Sequence, residues 1–316
     1  MNIKPFAFTV PPLTKTVIPT GFMVEIENRF KEVFFEGGFL VWYGTAGAGK
    51  TTCAEWLTAR INDAFTPEDP LAFRALIYEA GRNTGRNTGK LALRTLYRYV
   101  SGYPLDSGTY RDNGIEDIAE EVFYAIKRKR LGTICVDEAG LLPLDAINAL
   151  ALVLDIAKRE KYYLTIILIG MDNLPLKLDQ EIRPQLYRRV HQWCNFKDYD
   201  LEDSYNLIAG LHPYFASIDR TIPDQWNQVR IVHELTGGLP GFIVQFLAKF
   251  DNTYRKIPNA INTVLLRGIH LNNNIEYKEI MAAAKGQKID KEKTIMEIAQ
   301  KGKTIDGKLK ENEKDI

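Results

Sequence analysis

One octapeptide constrains this 316-residue chain more than any other feature. It reads Gly44-Thr45-Ala46-Gly47-Ala48-Gly49-Lys50-Thr51 and matches the pattern G-x-x-x-x-G-K-[ST]. An apolar run at residues 39–43 precedes it, and helical spacing predicts a helix from about residue 50 to residue 64. Backbone N–H groups and a helix N-terminus then form an anion site, so the octapeptide predicts a phosphate-binding loop. The alternative is a chance glycine-rich turn.

The side chains of this loop suit a nucleotide bound with magnesium. Lys50 is expected to reach the terminal phosphates of ATP, and the Thr51 hydroxyl is expected to bind Mg²⁺. The predicted nucleotide-binding residues in this segment are Gly44, Thr45, Ala46, Gly47, Ala48, Gly49, Lys50, Thr51 and Thr52.

A distant acidic pair supplies the matching partner. The apolar run at residues 133–136 predicts a buried strand, which ends at Asp137 and Glu138. Asp137 is expected to lie beside the Mg²⁺. Glu138 is suited to orient and deprotonate the attacking water, because carboxylates serve as general bases. The alternative is an acidic strand end that caps the next helix.

Another predicted strand, at residues 164–169, ends in a polar segment. Asp172 and Asn173 follow it, and one of them is expected to face the γ-phosphate from the neighbouring strand. Asn173 is the preferred catalytic candidate. A simple strand-to-loop turn made by Asp and Asn is the alternative.

The pattern along the chain predicts an α/β fold followed by helices. Strands at residues 39–43, 75–78, 133–136 and 164–169 alternate with helices, which indicates a parallel sheet with helices on both faces. No strand is predicted beyond residue 199. The predicted domains are an N-terminal arm at 1–20, a nucleotide-binding domain at 21–198, a small all-helical lid domain at 199–284, and a charged, poorly ordered tail at 285–316.

The cysteines, the hydropathy and the histidines indicate the cellular compartment and the metals expected for this chain. Cys53, Cys135 and Cys194 are an odd number of widely spaced cysteines in apolar or helical contexts, which predicts buried thiols in a reduced, cytoplasmic protein. The N-terminus has no signal-peptide pattern. No stretch of about 20 apolar residues predicts a membrane span. The four histidines lack metal-ligand spacing, so Mg²⁺ is the one metal expected.

The order of these motifs resembles that of the AAA+ ATPases, and within them it looks most like the transposition regulators of the TnsC, TniB and MuB type. The resemblance covers roughly residues 22–271. It rests on the phosphate loop, Val-Asp-Glu-Ala at 136–139, Ile-Gly-Met-Asp-Asn-Leu at 169–174 and Arg-Pro-Gln-Leu-Tyr-Arg-Arg-Val at 183–190. It implies a P-loop AAA+ parallel sheet flanked by helices and followed by a helical lid. It also implies Mg²⁺-dependent hydrolysis of ATP to ADP and phosphate, stimulated by assembly and by DNA.

The resemblance further implies that ATP binds between subunits and that an arginine from one subunit completes the neighbour's site. Arg188 and Arg189 lie in the matching segment, with Arg183 as a further candidate; the alternative is a solvated basic helix face. Many AAA+ lids carry an arginine near a Gly-x-x-Arg turn, whereas residues 237–241 read Gly-Gly-Leu-Pro-Gly. This turn looks more like the lid of signalling NTPases, in which a proline packs on the nucleotide base, so Pro240 is a predicted nucleotide contact.

Proteins of the resembled type polymerise on duplex DNA as rings or helical filaments and recruit transposase and target-selection proteins. The net charge of +1 excludes a strongly basic molecule, but residues 82–111 contain six basic residues and one acidic residue, Asp106. Non-specific contacts to the DNA backbone are therefore expected there, with a solvated helix face and loop as the alternative. The predicted DNA-binding residues are Arg82, Arg86, Lys90, Arg94, Thr109 and Arg111.

Two other functions remain open from the sequence. The first is a signalling or scaffold (STAND-like) NTPase that assembles without DNA, as the Gly-Leu-Pro turn suggests. The second is a helper or loader ATPase that acts on a replication or secretion partner. DNA-stimulated ATP hydrolysis distinguishes the DNA-binding function from the signalling function.

Overall fold

The computed structural model describes residues 17–69, 72–80, 88–105, 114–181, 189–254 and Leu266. The chain divides into two compact units, Met1–Lys197 and Asp198–Ile316. This division falls one residue before the boundary expected from the sequence. The predicted N-terminal arm up to residue 16 and the predicted tail lie outside the described residues.

The first unit is built on a five-stranded parallel sheet in the order β2-β3-β4-β1-β5. Its strands are β1 (Gly38–Gly44), β2 (Arg74–Glu79), β3 (Leu131–Asp137), β4 (Thr165–Gly170) and β5 (Val190–Phe196). Every residue of β4 is buried, and so is β3 up to Val136. Their continuous apolar sequences are those of strands covered on both faces.

Helices cover both faces of this sheet. They are α1 (Gly21–Val33), α2 (Lys50–Asp63), α3 (Thr88–Ser101), α4 (Ile115–Arg128), α5 (Leu144–Arg159) and α6 (Leu174–Glu181). The main buried cluster draws its helical residues mostly from α3, α4 and α5, which pack on one another. Helix α2 contributes nothing to that cluster and packs on β1, β2 and β3 instead. The predicted α/β fold, a parallel sheet with helices on both faces, is therefore confirmed.

Helix α4 shows how sequence produces one of these elements. Its carboxylate Asp117 accepts a hydrogen bond from the Gly114 backbone N–H at 3.0 Å, which caps the first turn. Its buried residues recur at helical spacing: Ile118, Ala119, Val122, Phe123, Ala125 and Ile126. Acidic residues occupy the first turn and basic residues the last, which complements the helix dipole. The result is a helix with one apolar face directed into the core.

The fifth strand, β5, was missed by the sequence analysis, which ended the sheet at four strands. The motif order predicted an arginine-bearing helix at residues 183–190, whereas Val190 begins a strand. The reason is that β5 lies at the sheet edge and mixes polar with apolar residues, Val-His-Gln-Trp-Cys-Asn-Phe. It therefore has neither the apolar run of a central strand nor a clean alternation.

All three cysteines are free and buried, as predicted. Burial raises the pKa of Cys135 to about 12 and that of Cys194 to about 11. The Cys53 pKa is also raised, chiefly by burial. Because the thiolate is the reactive form, these thiols are inert at neutral pH and serve as small apolar side chains.

The second unit is helical in the part that the structure describes. Its helices are α7 (Leu201–Leu211), α8 (Pro213–Ala216), α9 (Pro223–Thr236) and α10 (Pro240–Tyr254), and residues 198–254 contain no strand. His212, Phe215 and Phe250 form a cluster of ring contacts at its centre. Of the helix predicted at 257–271, only Leu266 is described, and it is helical. Among the described helices, none has the length and apolar character needed to span a membrane.

Candidate nucleotide-binding site

The strand order brings three strand ends to one edge of the sheet. Strand β4 lies between β1, which leads into the phosphate loop, and β3, which ends at Asp137. Tyr43 pairs with Gly170 and Val136 with Leu168, so the three carboxyl ends lie side by side. In open parallel sheets ligands bind at this edge.

The phosphate loop connects β1 to α2 and depends on glycine at three positions. Gly47 and Gly49 both have φ +84°, the left-handed region that favours glycine, and Gly49 caps the N-terminus of α2. Gly44 has φ +156°, and a Cβ there would lie 2.3 Å from the Phe196 carbonyl oxygen of β5. The loop can therefore pass this close to the edge strand only with glycine at residue 44.

Lys50 folds back over the loop. Its Nζ donates hydrogen bonds to the carbonyl oxygens of Gly44 at 2.8 Å and Thr45 at 2.7 Å. Partial burial lowers the Lys50 pKa, while the negative charges of Asp172, Asp137 and Glu138 act in the opposite direction. The ammonium thus lies against the loop carbonyls just after β1, where it could contact a phosphate group bound by the loop.

Thr51 and Asp137 meet although they are 86 residues apart in sequence: the Thr51 hydroxyl donates to Asp137 Oδ2 at 2.7 Å. Hydroxyl and carboxylate oxygens are the hard ligands that Mg²⁺ prefers. No group of three or more His, Cys, Asp or Glu residues within the described ranges is placed to hold a metal ion. Thr51 and Asp137 fit a Mg²⁺ ion that takes its remaining ligands from phosphates and water, the usual arrangement for this metal.

Glu138 follows directly and has an unusual backbone. Its φ of 54° and ψ of 33° lie in the left-handed region, which costs a non-glycine residue about 1–3 kcal/mol. Its N–H donates to Asp137 Oδ1 at 2.9 Å, and its carbonyl accepts from Leu141 N–H at 2.9 Å. The Glu138 carboxylate is exposed beside the predicted Mg²⁺ ligand, as a base acting on water requires.

The segment after β4 lies between the phosphate loop and the Asp137–Glu138 pair. Asp172 and Asn173 are both exposed there. The negative charge of Asp172 favours the charged form of Lys50 and so acts to raise the Lys50 pKa. The Asn173 carbonyl accepts a hydrogen bond from Lys177 N–H at 3.0 Å in the first turn of α6. The role of the Asn173 side chain stays a prediction.

Arg189 is the one predicted arginine that the structure describes, and it does not lie at this edge of the sheet. Arg189 precedes β5, and its carbonyl accepts from Phe39 N–H, so it lies at the amino edge of the sheet. It forms an ion pair with Asp155 at 2.9 Å. Arg183 and Arg188 lie outside the described residues. Pro240 begins α10 in the second unit, and its contact with a nucleotide stays a prediction.

Two of the six predicted DNA-binding residues are described. Lys90 and Arg94 lie in α3 and are half-buried, and Arg98 and Tyr99 are exposed in the same helix. Arg82, Arg86, Thr109 and Arg111 lie outside the described residues. A DNA-binding role for these residues stays a prediction.

Comparisons with known proteins agree with this geometry. Residues 33–178 match the family model of the AAA domain. The fold is similar to the Aeropyrum pernix ORC2 protein in ADPNP–ADP complexes, with a TM-score of 0.59, 15% identity, and coverage of 90% of this chain and 81% of that one. No curated protein sequence gives a significant match.

Two further solved structures share the fold. Cdc6p from Pyrobaculum aerophilum has a TM-score of 0.58 at 13% identity, covering 86% of this chain and 72% of that one. Drosophila ORC bound to DNA has a TM-score of 0.54 at 12% identity, covering 92% and 76%. With its β2-β3-β4-β1-β5 sheet and its glycine-rich loop between β1 and α2, this chain has the P-loop fold of the AAA+ ATPases.

Proposed function

We propose that this protein is a Mg²⁺-dependent ATPase that works as a homo-oligomer on duplex DNA. The observation that carries the ATPase proposal is the 2.7 Å contact between Thr51 and Asp137, with Lys50 folded over the adjoining loop. The proposed magnesium ligands Thr51 and Asp137 therefore lie at the same sheet edge as Lys50, the proposed phosphate ligand, and the exposed Glu138. The match to the AAA domain model and the nucleotide complexes of the structurally similar ORC2 protein also support ATP as the substrate.

Each residue has a defined task in this proposal. The loop N–H groups and Lys50 bind the phosphates, because both present hydrogen-bond donors and positive charge there. Thr51 and Asp137 would hold Mg²⁺, which would neutralise negative charge on the phosphates. Glu138 accepts the proton of the attacking water. An arginine of the neighbouring subunit, Arg188 or Arg189, stabilises charge on the transferring phosphoryl group.

Duplex DNA is the proposed partner. Helix α3 carries Lys90, Arg94 and the exposed Arg98, and it continues the basic stretch that begins at Arg82. Contacts from such side chains go to phosphates and are insensitive to base sequence. The structurally similar Drosophila ORC is bound to DNA, which supports the same class of partner for this chain.

The cellular role we propose is regulation of DNA transposition, in which the ATP-bound oligomer marks target DNA in the cytoplasm and recruits transposase and target-selection proteins. This role rests on the motif resemblance described above. A helper ATPase of DNA replication is the second candidate, and the likeness to ORC2 and Cdc6p favours it. The two roles are distinguished by identifying the proteins that the ATP-bound assembly retains on DNA: a transposase would support transposition, and a replication protein would support the helper role.

The ATPase proposal is tested by phosphate release with and without duplex DNA. We expect Glu138→Gln to bind ATP with unchanged affinity and to lose about 10²–10⁴-fold in turnover, because it keeps its size but loses the general base. Fluorescent ATP titration checks binding separately. Wild-type turnover in Glu138→Gln would remove Glu138 from the proposed role, and absence of turnover in the wild type with DNA would refute the ATPase.

The DNA proposal is tested by charge reversal with a matched control. Replacing Arg82, Arg86 and Lys90 by Glu should abolish DNA binding and leave ATP binding intact. The control replaces Lys127, Arg128 and Lys129, an exposed basic run at the end of α4 and just beyond it, by Glu and changes the net charge equally. Equal losses in both variants would show that overall charge, not this surface, determines DNA affinity.

A further inference from the structure

Lys177 is a side chain that the predicted mechanism does not use. It lies in α6, one turn after Asn173, and is half-buried. Its Nζ donates hydrogen bonds to the carbonyl oxygens of Gly140 at 2.9 Å and Leu142 at 2.7 Å. A lysine on a helix surface ordinarily extends its ammonium into water. Here the ammonium is directed instead at two carbonyls of one turn.

That turn comes directly after Glu138 in the chain. A 3₁₀ turn at Ala139–Leu141 follows it, and both Ala139 and Leu142 are buried. Strained backbone such as that of Glu138 persists only where the surroundings hold it in place. Asp137 holds its amino side through the Glu138 N–H. On its carboxyl side, Lys177 brings a charged donor from a different part of the chain to the turn.

The same lysine belongs to the segment that follows β4. Its backbone N–H bonds to the Asn173 carbonyl at 3.0 Å, so it is part of the turn that follows Asp172. The strand ends of β3 and β4 are close at this point, since a Cβ on Gly170 would lie 3.3 Å from Gly140 N. Lys177 therefore connects the segment facing Lys50 to the segment carrying Glu138.

We propose that Lys177 is a positioning residue for ATP hydrolysis, which rests on the proposed ATPase function. In that reaction the water oxygen bonds to the γ-phosphorus, the bond from phosphorus to the β–γ bridging oxygen breaks, and ADP leaves. Glu138 takes the proton that the water loses. Lys177 contacts none of the reacting atoms and acts by fixing the turn from which the Glu138 carboxylate projects.

The test replaces Lys177 by Met, which keeps the length of the side chain and removes its donors. We expect kcat to fall about tenfold to a hundredfold, because small displacements of a catalytic group cost this much, while the KM for ATP stays within about twofold. Lys177→Arg should give an intermediate kcat at unchanged KM, since guanidinium can also donate to two carbonyls. Lys127→Met is the control and should retain wild-type turnover, because Lys127 pairs with Glu160 in an exposed contact of α4.

A double variant separates positioning from a structural role. If Lys177 acts through Glu138, adding Lys177→Met to Glu138→Gln should leave the residual single-turnover rate unchanged. Multiplied losses in the double variant, or an equal loss of ATP affinity in Lys177→Met, would overturn the assignment.

If Lys177→Met fails to fold, Lys177→Gln decides instead, because its shorter, uncharged side chain cannot replace the ammonium between the two carbonyls: lowered kcat at unchanged KM supports the proposal, and wild-type kcat refutes it. Failure of the ATPase proposal itself is recognised by absence of turnover in the wild type, whereas failure of the Lys177 proposal leaves turnover and its dependence on Glu138 intact.

Discussion

Single glycines in the phosphate loop have different roles. Gly47 and Gly49 are required by backbone conformation, because both have φ +84°. Gly44 is required chiefly by space, because the carbonyl of Phe196 occupies the position that its Cβ would take. The pattern G-x-x-x-x-G-K-[ST] marks Gly44, but the neighbour that excludes a side chain there belongs to β5, the strand that the sequence analysis missed.

Gly44→Ala is expected to weaken nucleotide binding and to lower stability by at least about 1–2 kcal/mol, because residue 44 must shift away from β5 and keep an unfavourable φ. Thermal unfolding and fluorescent ATP titration measure both effects. Gly114→Ala is the matched control: a Cβ there meets its nearest atom, Asp117 Oδ2, at an ordinary 3.5 Å, and φ is negative. If Gly44→Ala and Gly114→Ala lower the unfolding temperature equally, the close approach of Phe196 is not the reason for glycine at residue 44.

Among the elements, α2 begins with Lys50 and Thr51, which are predicted to bind the nucleotide, and an ion pair fixes its other end. Glu27 of α1 is buried, and its carboxylate forms ion pairs with Arg60 Nε of α2 at 3.1 Å and with Lys31 Nζ at 2.7 Å. Arg60 also lies over the Trp56 ring at 5.1 Å. Helix α1 in turn packs on β5. The pair therefore ties the helix that begins at Lys50 to an element on the sheet.

Glu27→Ala is expected to lower the free energy of unfolding by about 3 kcal/mol, because it leaves the guanidinium of Arg60 largely buried without its carboxylate. Chemical denaturation measures the change. Glu25→Ala is the control in the same helix: Glu25 also pairs with an arginine, Arg29, but its side chain is 53% exposed against 5% for Glu27. Exposed pairs contribute about 0.3–0.5 kcal/mol, so a similar loss in both variants would contradict the burial argument.

In the molecule as a whole, the parallel sheet separates the predicted nucleotide-binding residues from Arg189. The phosphate loop, Asp137 and Glu138 lie at its carboxyl edge, while Arg189, paired with Asp155, lies at its amino edge. Arg189 therefore does not belong to the site of its own subunit. Its proposed role requires a second subunit whose carboxyl edge faces this amino edge, a head-to-tail contact that generates rings or filaments.

Mixing two inactive variants tests this arrangement. Lys50→Ala should not bind ATP, and Arg189→Ala should bind ATP but lose about 10³-fold or more in turnover. An equal mixture should regain roughly a quarter of wild-type turnover, since that fraction of random interfaces pairs an intact loop with an intact Arg189. Phosphate release measures the recovery. Normal turnover in Arg189→Ala alone would transfer the role to Arg188 or Arg183.

Much of the fold could be predicted from the sequence, and the misses have physical reasons. Strands β1, β3 and β4 were recognised because buried parallel strands are continuous apolar runs. Strand β5 was not, because an edge strand with His191 and Asn195 resembles a loop.

The sequence by itself predicted the phosphate loop, because the groups that would bind a phosphate, consecutive backbone N–H groups and one adjoining lysine, all lie within residues 44–51. Tertiary structure alone decided how that loop becomes a site. It inserted β4 between β1 and β3, and it brought Thr51 to Asp137 across 86 residues. It also placed Lys177 on the turn of Glu138. Such contacts depend on strand order and helix packing, which local sequence patterns do not specify.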